Sequence, residues 1–141
     1  MNKLTLEAAD KIINAALQKS SAAGYCPMAV VVLDEAGHFK AGKREDGATM
    51  FRTEIATGKA WSAVAIGDSS RVLGTRARDN PGFYGALAVT GQGKFIPQTG
   101  AVLIKDASGT VLGSIGASGG TGDEDEEICI AGIRAAGLEH G

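Results

Sequence analysis

The chain has 141 residues, of which 44% are hydrophobic and 21% are charged, and its formal net charge is −2. A chain of this size and composition typically forms one soluble domain, so a single domain is expected over residues 1–141. The near-neutral charge gives no basic surface for nucleic acid, and no apolar run approaches the roughly 18 residues of a membrane span. Neither nucleic acid nor a membrane is therefore an expected partner. Because the first residues lack the charged-then-apolar order of a secretory signal, a cytoplasmic location is expected.

The N-terminal third is predicted to form a helix followed by a β-hairpin. Apolar residues recur at helical spacing between Thr5, a suitable N-cap, and Gly24, a suitable stop. The largely β-branched run Met28–Leu33 predicts a buried strand, and a second strand is expected from about His38 to Arg44. The segment Asp34–Gly37 joins them, because its final glycine can adopt the left-handed conformation that such turns need.

The middle of the chain is predicted to be helical. One helix is expected over Thr53–Ile66, where small residues let the helix lie close to a sheet. Two shorter helical segments, Arg71–Asn80 and Phe83–Val89, are divided at the Asn-Pro-Gly sequence of residues 80–82.

The C-terminal third is predicted to contain a second hairpin and a last helix. The hairpin strands are Ala101–Lys105 and Val111–Ala117, and the helix extends from about Gly122 to Ala136. Hairpins near both ends, with helices between them and at the termini, predict an α+β fold with a mainly antiparallel sheet.

The glycine-rich loop over residues 116–122 lacks the spacing of a dinucleotide fingerprint and the lysine of a phosphate-binding loop. Thr121 and Glu124 instead fit a capping box, and the five acids at 123–127 would repel a phosphate. A self-capped helix start is therefore predicted, and a ligand is expected on the basic side of the first hairpin instead. A cation or a polar ligand edge beside the acids stays open. Ser118 and Thr121 have hydroxyls at the glycine-rich loop, where a capping role accounts for them, and both are candidate ligand contacts. No metal site is predicted, because the spacing of a calcium loop is absent.

Five segments together carry a resemblance to a known family. They are residues 4–9 (LTLEAA), 32–38 (VLDEAGH), 44–48 (REDGA), 59–63 (KAWSA) and 113–126 (GSIGASGGTGDEDE). With them the chain resembles the haem-binding/GlcG family, which also contains the HbpS-type haem-binding proteins and the C-terminal domain of PduO. The resemblance covers nearly the whole chain and implies a profilin-like fold, with about five antiparallel strands flanked by helices, in symmetric oligomers. One departure is the sequence Pro-Gln-Thr-Gly at 97–100, where the family often has a Pro-Gly-Gly turn.

The second predicted strand collects basic residues. In a regular strand His38, Lys40, Gly42 and Arg44 point to one face. This face is interpreted either as a solvated strand face or as a pocket for a carboxylate-bearing ligand, whose anionic groups Arg44 would hold. Haem propionates or a small organic acid would both suit such a pocket. His38 would then be an axial iron ligand or a general base, which makes it the candidate catalytic residue.

Lys59 and Trp61 lie on the predicted middle helix. Lys59 is interpreted as a solvated charge and Trp61 as a core or subunit-contact residue, and a place beside a ligand is the alternative for both. Cys26 and Cys129 lie among apolar residues, so both are interpreted as buried hydrophobic residues.

Three functions are compatible with these features. The first is a small-ligand-binding protein whose ligand is haem or a haem-like tetrapyrrole, as the resemblance implies. The second is a catabolic-operon enzyme that acts on a small organic acid with His38 as acid and base. The third is a non-catalytic accessory subunit. A homo-oligomer is expected for each.

Overall fold

The protein forms a five-stranded antiparallel sheet flanked by five helices in the computed structural model, which describes residues 3–141. The helices are α1 (Leu6–Ala23), α2 (Met50–Ile66), α3 (Ser70–Asp79), α4 (Pro81–Thr90) and α5 (Gly122–Ala135). The strands are β1 (Ala29–Asp34), β2 (Phe39–Arg44), β3 (Ala101–Lys105), β4 (Val111–Ser118) and β5 (Glu139–His140), in the sheet order β2-β1-β4-β3-β5. The predicted α+β class with a mainly antiparallel sheet is confirmed.

The helix boundaries follow from local capping groups. At the start of α1 the Ala8 amide donates to Thr5 Oγ1 at 3.1 Å, and the helix ends at Gly24, whose φ is 72°. Helix α2 begins at Met50 rather than at Thr53. The residue before Met50 has an extended backbone, and the helical hydrogen bonds already start at that residue.

Helices α1 and α5 cover one face of the sheet and enclose the larger core cluster. Ile12 and Ile13 of α1 meet Ile128 and Ile133 of α5 in this cluster, and all four side chains are inaccessible to solvent. Val30 of β1 points to the same face. The burial of aliphatic side chains therefore fixes how both helices lie on the sheet.

Helix α2 covers the opposite face and packs unusually closely on β4. A Cβ atom at Gly116 would lie 2.3 Å from the Ala56 carbonyl oxygen, so only glycine allows this approach. Beside it, Ser114 Oγ donates to the Ala60 carbonyl at 2.7 Å. Both interactions fix the position of α2, which carries most of the candidate site.

Strand β2 contains an irregularity that changes which side chains share a face. Val32 pairs with Ala41, but Leu33 pairs with Phe39, so the residue between them has no partner on β1. Phe39 consequently lies on the same face as Gly42, and its ring would be 3.0 Å from a Cβ at that position. The prediction that His38, Lys40, Gly42 and Arg44 form one face is wrong, because it assumed regular alternation.

The two cysteines differ in their surroundings. Cys129 on α5 is fully buried, as predicted, whereas Cys26 is exposed in the segment between α1 and β1. The prediction for Cys26 is therefore wrong, because the chain stays at the surface up to Pro27 and enters the core only at Met28.

Candidate functional site

Helix α2 presents two adjacent rows of side chains to two concave surfaces. Arg52, Ile55 and Lys59 line a cavity of about 600 Å³, whereas Thr57 and Trp61 line a cleft of about 380 Å³. Residues three or four positions apart share a helix face, so Lys59 and Trp61 face different surfaces although they are close in sequence. We call the first the polar cavity, formed by Arg52, Lys59, Gln98, Ser118, Thr121 and Asp125, and the second the aromatic cleft, formed by Leu33, His38, Phe39, Thr57, Trp61 and Lys94.

The polar cavity contains a buried ion pair. Lys59 Nζ lies 3.0 Å from Asp125 Oδ2 and also donates to the Ala117 carbonyl at 3.1 Å. Only 7% of the Lys59 side chain and 3% of the Asp125 side chain are exposed. The interpretation of Lys59 as a solvated charge is therefore wrong. A buried charge is tolerated when it is paired, and the partner lies on the helix that follows the glycine-rich loop.

The start of α5 forms one edge of the polar cavity. Thr121 Oγ1 accepts a hydrogen bond from the Glu124 amide at 3.1 Å, and Glu124 Oε1 accepts one from the Thr121 amide at 2.9 Å. These two bonds confirm the predicted capping box. The next residue, Asp125, turns inward and accepts from the Gly120 amide at 2.9 Å, so this acid organises the loop from inside.

The cavity also contains a serine hydroxyl without a protein partner. Ser118 is 1% exposed and lines the cavity, and no other residue within 3–141 forms a hydrogen bond with its side chain. Ser20 Oγ is the one completely enclosed side-chain oxygen in this range that lacks a partner. Ser118 Oγ also lacks a partner but is not completely enclosed, so it faces the cavity that Ser118 lines. Arg52 is half-buried at the same cavity and forms no ion pair with an acid of the described chain.

The aromatic cleft is smaller and more apolar than the polar cavity. Trp61 packs on Leu33 in the floor, and Phe39, which is 66% exposed, contributes to one side. Lys94 Nζ lies 5.7 Å from the centroid of the Trp61 ring, within the range of a cation–π contact. Together with His38, the cleft offers two aromatic rings, an imidazole and an ammonium group.

His38 lies at the edge of this cleft beside Asp34. Its side chain is 80% exposed, and Nδ1 is 3.9 Å from Asp34 Oδ2. Desolvation raises the pKa of the Asp34 carboxyl, but the amides of His38 and Ala36 donate to this group and hold its pKa below the usual value. The negatively charged Asp34 can therefore orient the imidazole ring.

Arg44 lies apart from both surfaces. Its Nη1 donates to the Ala48 carbonyl at 2.6 Å, and its side chain lines a shallow groove with Lys43 and Asp46. No cavity described over residues 3–141 contains His38 and Arg44 together. The pocket that was expected to unite them is therefore not formed.

The structure thus distributes the five predicted site residues over three places: Lys59, Ser118 and Thr121 in the polar cavity, His38 in the aromatic cleft, and Arg44 in the groove. Sequence reasoning missed Arg52, Lys94 and Asp125. The helical spacing of Arg52 and Lys59 was a usable signal for the first of these, whereas the other two come from distant elements.

Residues 3–141 contain neither a cluster of metal ligands nor a membrane-spanning helix. No group of three or more His, Cys, Asp or Glu residues is arranged to hold a metal ion in this part of the chain. None of the helices described there is long and apolar enough to cross a membrane.

The model of the family described as "Haem degrading protein HbpS-like" matches residues 4–134. The chain belongs to the HbpS-like family. A crystal structure of a PduOC:heme complex is similar, with a TM-score of 0.87, 26% identity and coverage of 97% of both chains. So is a double mutant of HbpS from Streptomyces reticuli, with a TM-score of 0.81, 28% identity and coverage of 95% of this chain and 87% of that one.

A curated relative of this HbpS-like chain is the corrinoid adenosyltransferase PduO from Citrobacter freundii. The two are 29% identical over 109 residues, which are 77% of this chain but 32% of PduO. The chain therefore spans about one third of the length of that relative, as expected from its similarity to PduOC.

Proposed function

We propose that the protein binds haem or a haem-like tetrapyrrole in the aromatic cleft. The observation that carries this proposal is the combination of the His38 imidazole with Phe39, Trp61 and Lys94 in one cleft. Membership of the HbpS-like family and the similarity to PduOC, which was crystallised with heme, support haem as the ligand.

Each component of the cleft fits one part of a porphyrin. The Nε2 atom of His38 can ligate iron, while Asp34 Oδ2 lies 3.9 Å from the opposite ring nitrogen, on the side where carboxylates support many metal-bound histidines. The rings of Phe39 and Trp61 provide apolar surface for a flat macrocycle, and Lys94 provides a positive charge for a propionate. The residues present therefore fit the group.

A hemin titration tests this proposal, and the chain supplies its own control. It has two histidines, His38 and His140, and the second belongs to β5 rather than to the cleft. We expect a saturable Soret shift with the wild-type protein, and binding at least about tenfold weaker in His38→Ala, because the iron loses a nitrogen ligand. His140→Ala should behave like the wild type. Circular dichroism checks that both variants are folded.

Two results would contradict the proposal. A flat titration with the wild-type protein removes haem as the ligand, and equal losses in both histidine variants remove His38 as the iron ligand. Arg44→Ala should leave the titration unchanged, because Arg44 lies in a different groove. Loss of binding in that variant would place the ligand on β2 instead.

We also propose that the protein is a homo-oligomer. Helix α4 is mostly apolar, yet none of its residues is buried, and Phe83 and Val89 are 54% and 81% exposed. Large exposed apolar patches usually mark an interface. Light scattering on the purified protein measures the state directly, and Val89→Asp should shift it toward smaller species. A wild-type monomer at micromolar concentration would contradict self-association.

A further inference from the structure

We infer that the polar cavity is a second ligand site, separate from the aromatic cleft, and that it binds a small organic carboxylate. This inference does not depend on haem binding. It rests on donors in a cavity of about 600 Å³ that have hydrogen-bonding capacity left, while the neighbouring acids make their contacts with other groups.

The first such donor is Ser118. Its hydroxyl faces the cavity, yet no residue of the described chain bonds to it, although the residue is 1% exposed. This hydroxyl opens into the cavity and is not sealed in the core, so its hydrogen-bonding capacity is accessible there. A ligand oxygen at this position would satisfy the hydroxyl.

The second donor is Lys59. An ammonium group has three N–H bonds, and those of Lys59 have two protein partners, the Ala117 carbonyl and Asp125. One N–H therefore remains for a ligand in the cavity that the side chain lines. The ion pair with Asp125 holds Nζ in place, so this donor is preorganised.

The third donor is Arg52, which supplies the charge. It lies on the same face of α2 as Lys59, and its guanidinium group has no acidic partner among residues 3–141. A guanidinium group binds a carboxylate through two parallel hydrogen bonds. Arg52 and Lys59 together can hold the two polar ends of one short ligand.

The acids around the cavity have contacts other than Arg52. Both oxygens of Asp125 are used, by Lys59 and by the Gly120 amide. Asp123, which also lines the cavity, pairs with Arg71, a cation that it shares with Glu126, and Glu124 accepts from the Thr121 amide in the capping box. Arg52 therefore has no carboxylate of the described residues in direct contact, so a ligand carboxylate can pair with it directly.

The donors that are still available select the kind of anion. Phosphates of a nucleotide would need several free amides at the start of α5, but Thr121 and Glu124 already use theirs within the capping box. A short carboxylate needs fewer donors, and Gln98 and Thr99 add side chains for a hydroxyl or carbonyl oxygen. This geometry corresponds to a hydroxy-, keto- or dicarboxylic acid of a few carbon atoms.

Calorimetric titration with malonate and glycolate, and with neutral malonamide, tests the site. We expect saturable millimolar or tighter binding of at least one acid and none of malonamide. Arg52→Gln should weaken this binding by about ten- to a hundredfold, because a charge-assisted contact is lost. Ser118→Ala should weaken it less. The matched control is Arg78→Gln, which makes the same charge change on exposed α3, where Arg78 bonds only Thr75 Oγ1.

Three outcomes would overturn the inference. Absence of binding by both acids removes the site, and equal weakening in Arg52→Gln and Arg78→Gln reduces it to a general charge effect. If malonate displaces hemin and Arg52→Gln also weakens hemin binding, the cavity belongs to the haem site and is not separate. Hemin binding that fails while malonate binding persists would instead leave this inference intact and contradict only the haem proposal.

Discussion

The polar cavity and the aromatic cleft use neighbouring residues of one helix, yet they are built by opposite means. Lys59 in the polar cavity has a side chain that is 7% exposed and fixed by Asp125, whereas His38 at the aromatic cleft is 80% exposed. A buried, paired charge holds its donors in one arrangement before a ligand arrives. A cleft of about 380 Å³ with an exposed imidazole at its edge leaves part of a large flat ligand uncovered. The comparison therefore supports the two proposals, a small polar ligand at one surface and a macrocycle at the other.

The largest effect that tests this comparison is expected from Lys59→Met. The change leaves Asp125 buried without its cation, so the free energy of unfolding should fall by about 3–5 kcal/mol. Denaturation in urea measures this loss. The double variant Lys59→Met/Asp125→Asn should be more stable than Lys59→Met alone, because the uncompensated charge is removed while an amide oxygen still accepts from Gly120.

Lys94→Met is the matched change in the aromatic cleft. Lys94 lies over the Trp61 ring and forms no ion pair with another residue of the described range, so the expected loss is below about 1 kcal/mol. Similar losses in Lys59→Met and Lys94→Met would show that the two surfaces do not differ in the way inferred here.

A smaller effect is expected at the edge of the polar cavity, from Thr121→Ala. The substitution removes the hydroxyl that caps α5 and should lower the free energy of unfolding by about 1 kcal/mol. Thr49→Ala provides the control, because Thr49 precedes α2 in the same backbone conformation but its side chain forms no capping bond. The difference between the two denaturation midpoints is the measurement, and a larger loss in Thr49→Ala would contradict the role given to the capping box.

Much of the fold could be predicted because local patterns determine it. The cap at Thr5, the stop at Gly24 and the capping box at Thr121 each involve residues within four positions of one another. The two hairpins likewise depend on short turns between apolar runs. Such features can be recognised in a sequence without knowledge of the tertiary structure.

The site could be predicted only in part, because its residues come together through tertiary packing. The sequence alone predicts that Lys59 lies at the surface. Only the approach of α5 places Asp125 beside it. The irregularity in β2 cannot be read from alternation either, and it separates His38 from Arg44. The polar cavity joins residues from α2, β4 and α5, which no spacing rule connects.

The smallest effect concerns the two thiols, which report whether the polar cavity opens. Cys129 Sγ lies 3.7 Å from the Gly100 carbonyl oxygen. A Cβ at Gly100 would be 2.6 Å from Lys59 Nζ, so Gly100 lies between the thiol and the ion pair. Burial raises the pKa of Cys129, and the charge of Asp125 raises it further, which leaves little reactive thiolate.

With a thiol reagent in native buffer we expect one fast equivalent per chain, from exposed Cys26, and the second only in denaturant. Cys26→Ser should abolish the fast phase without a change in stability. Two fast equivalents in the wild-type protein would mean that the polar cavity opens readily, and its donors would then not be preorganised.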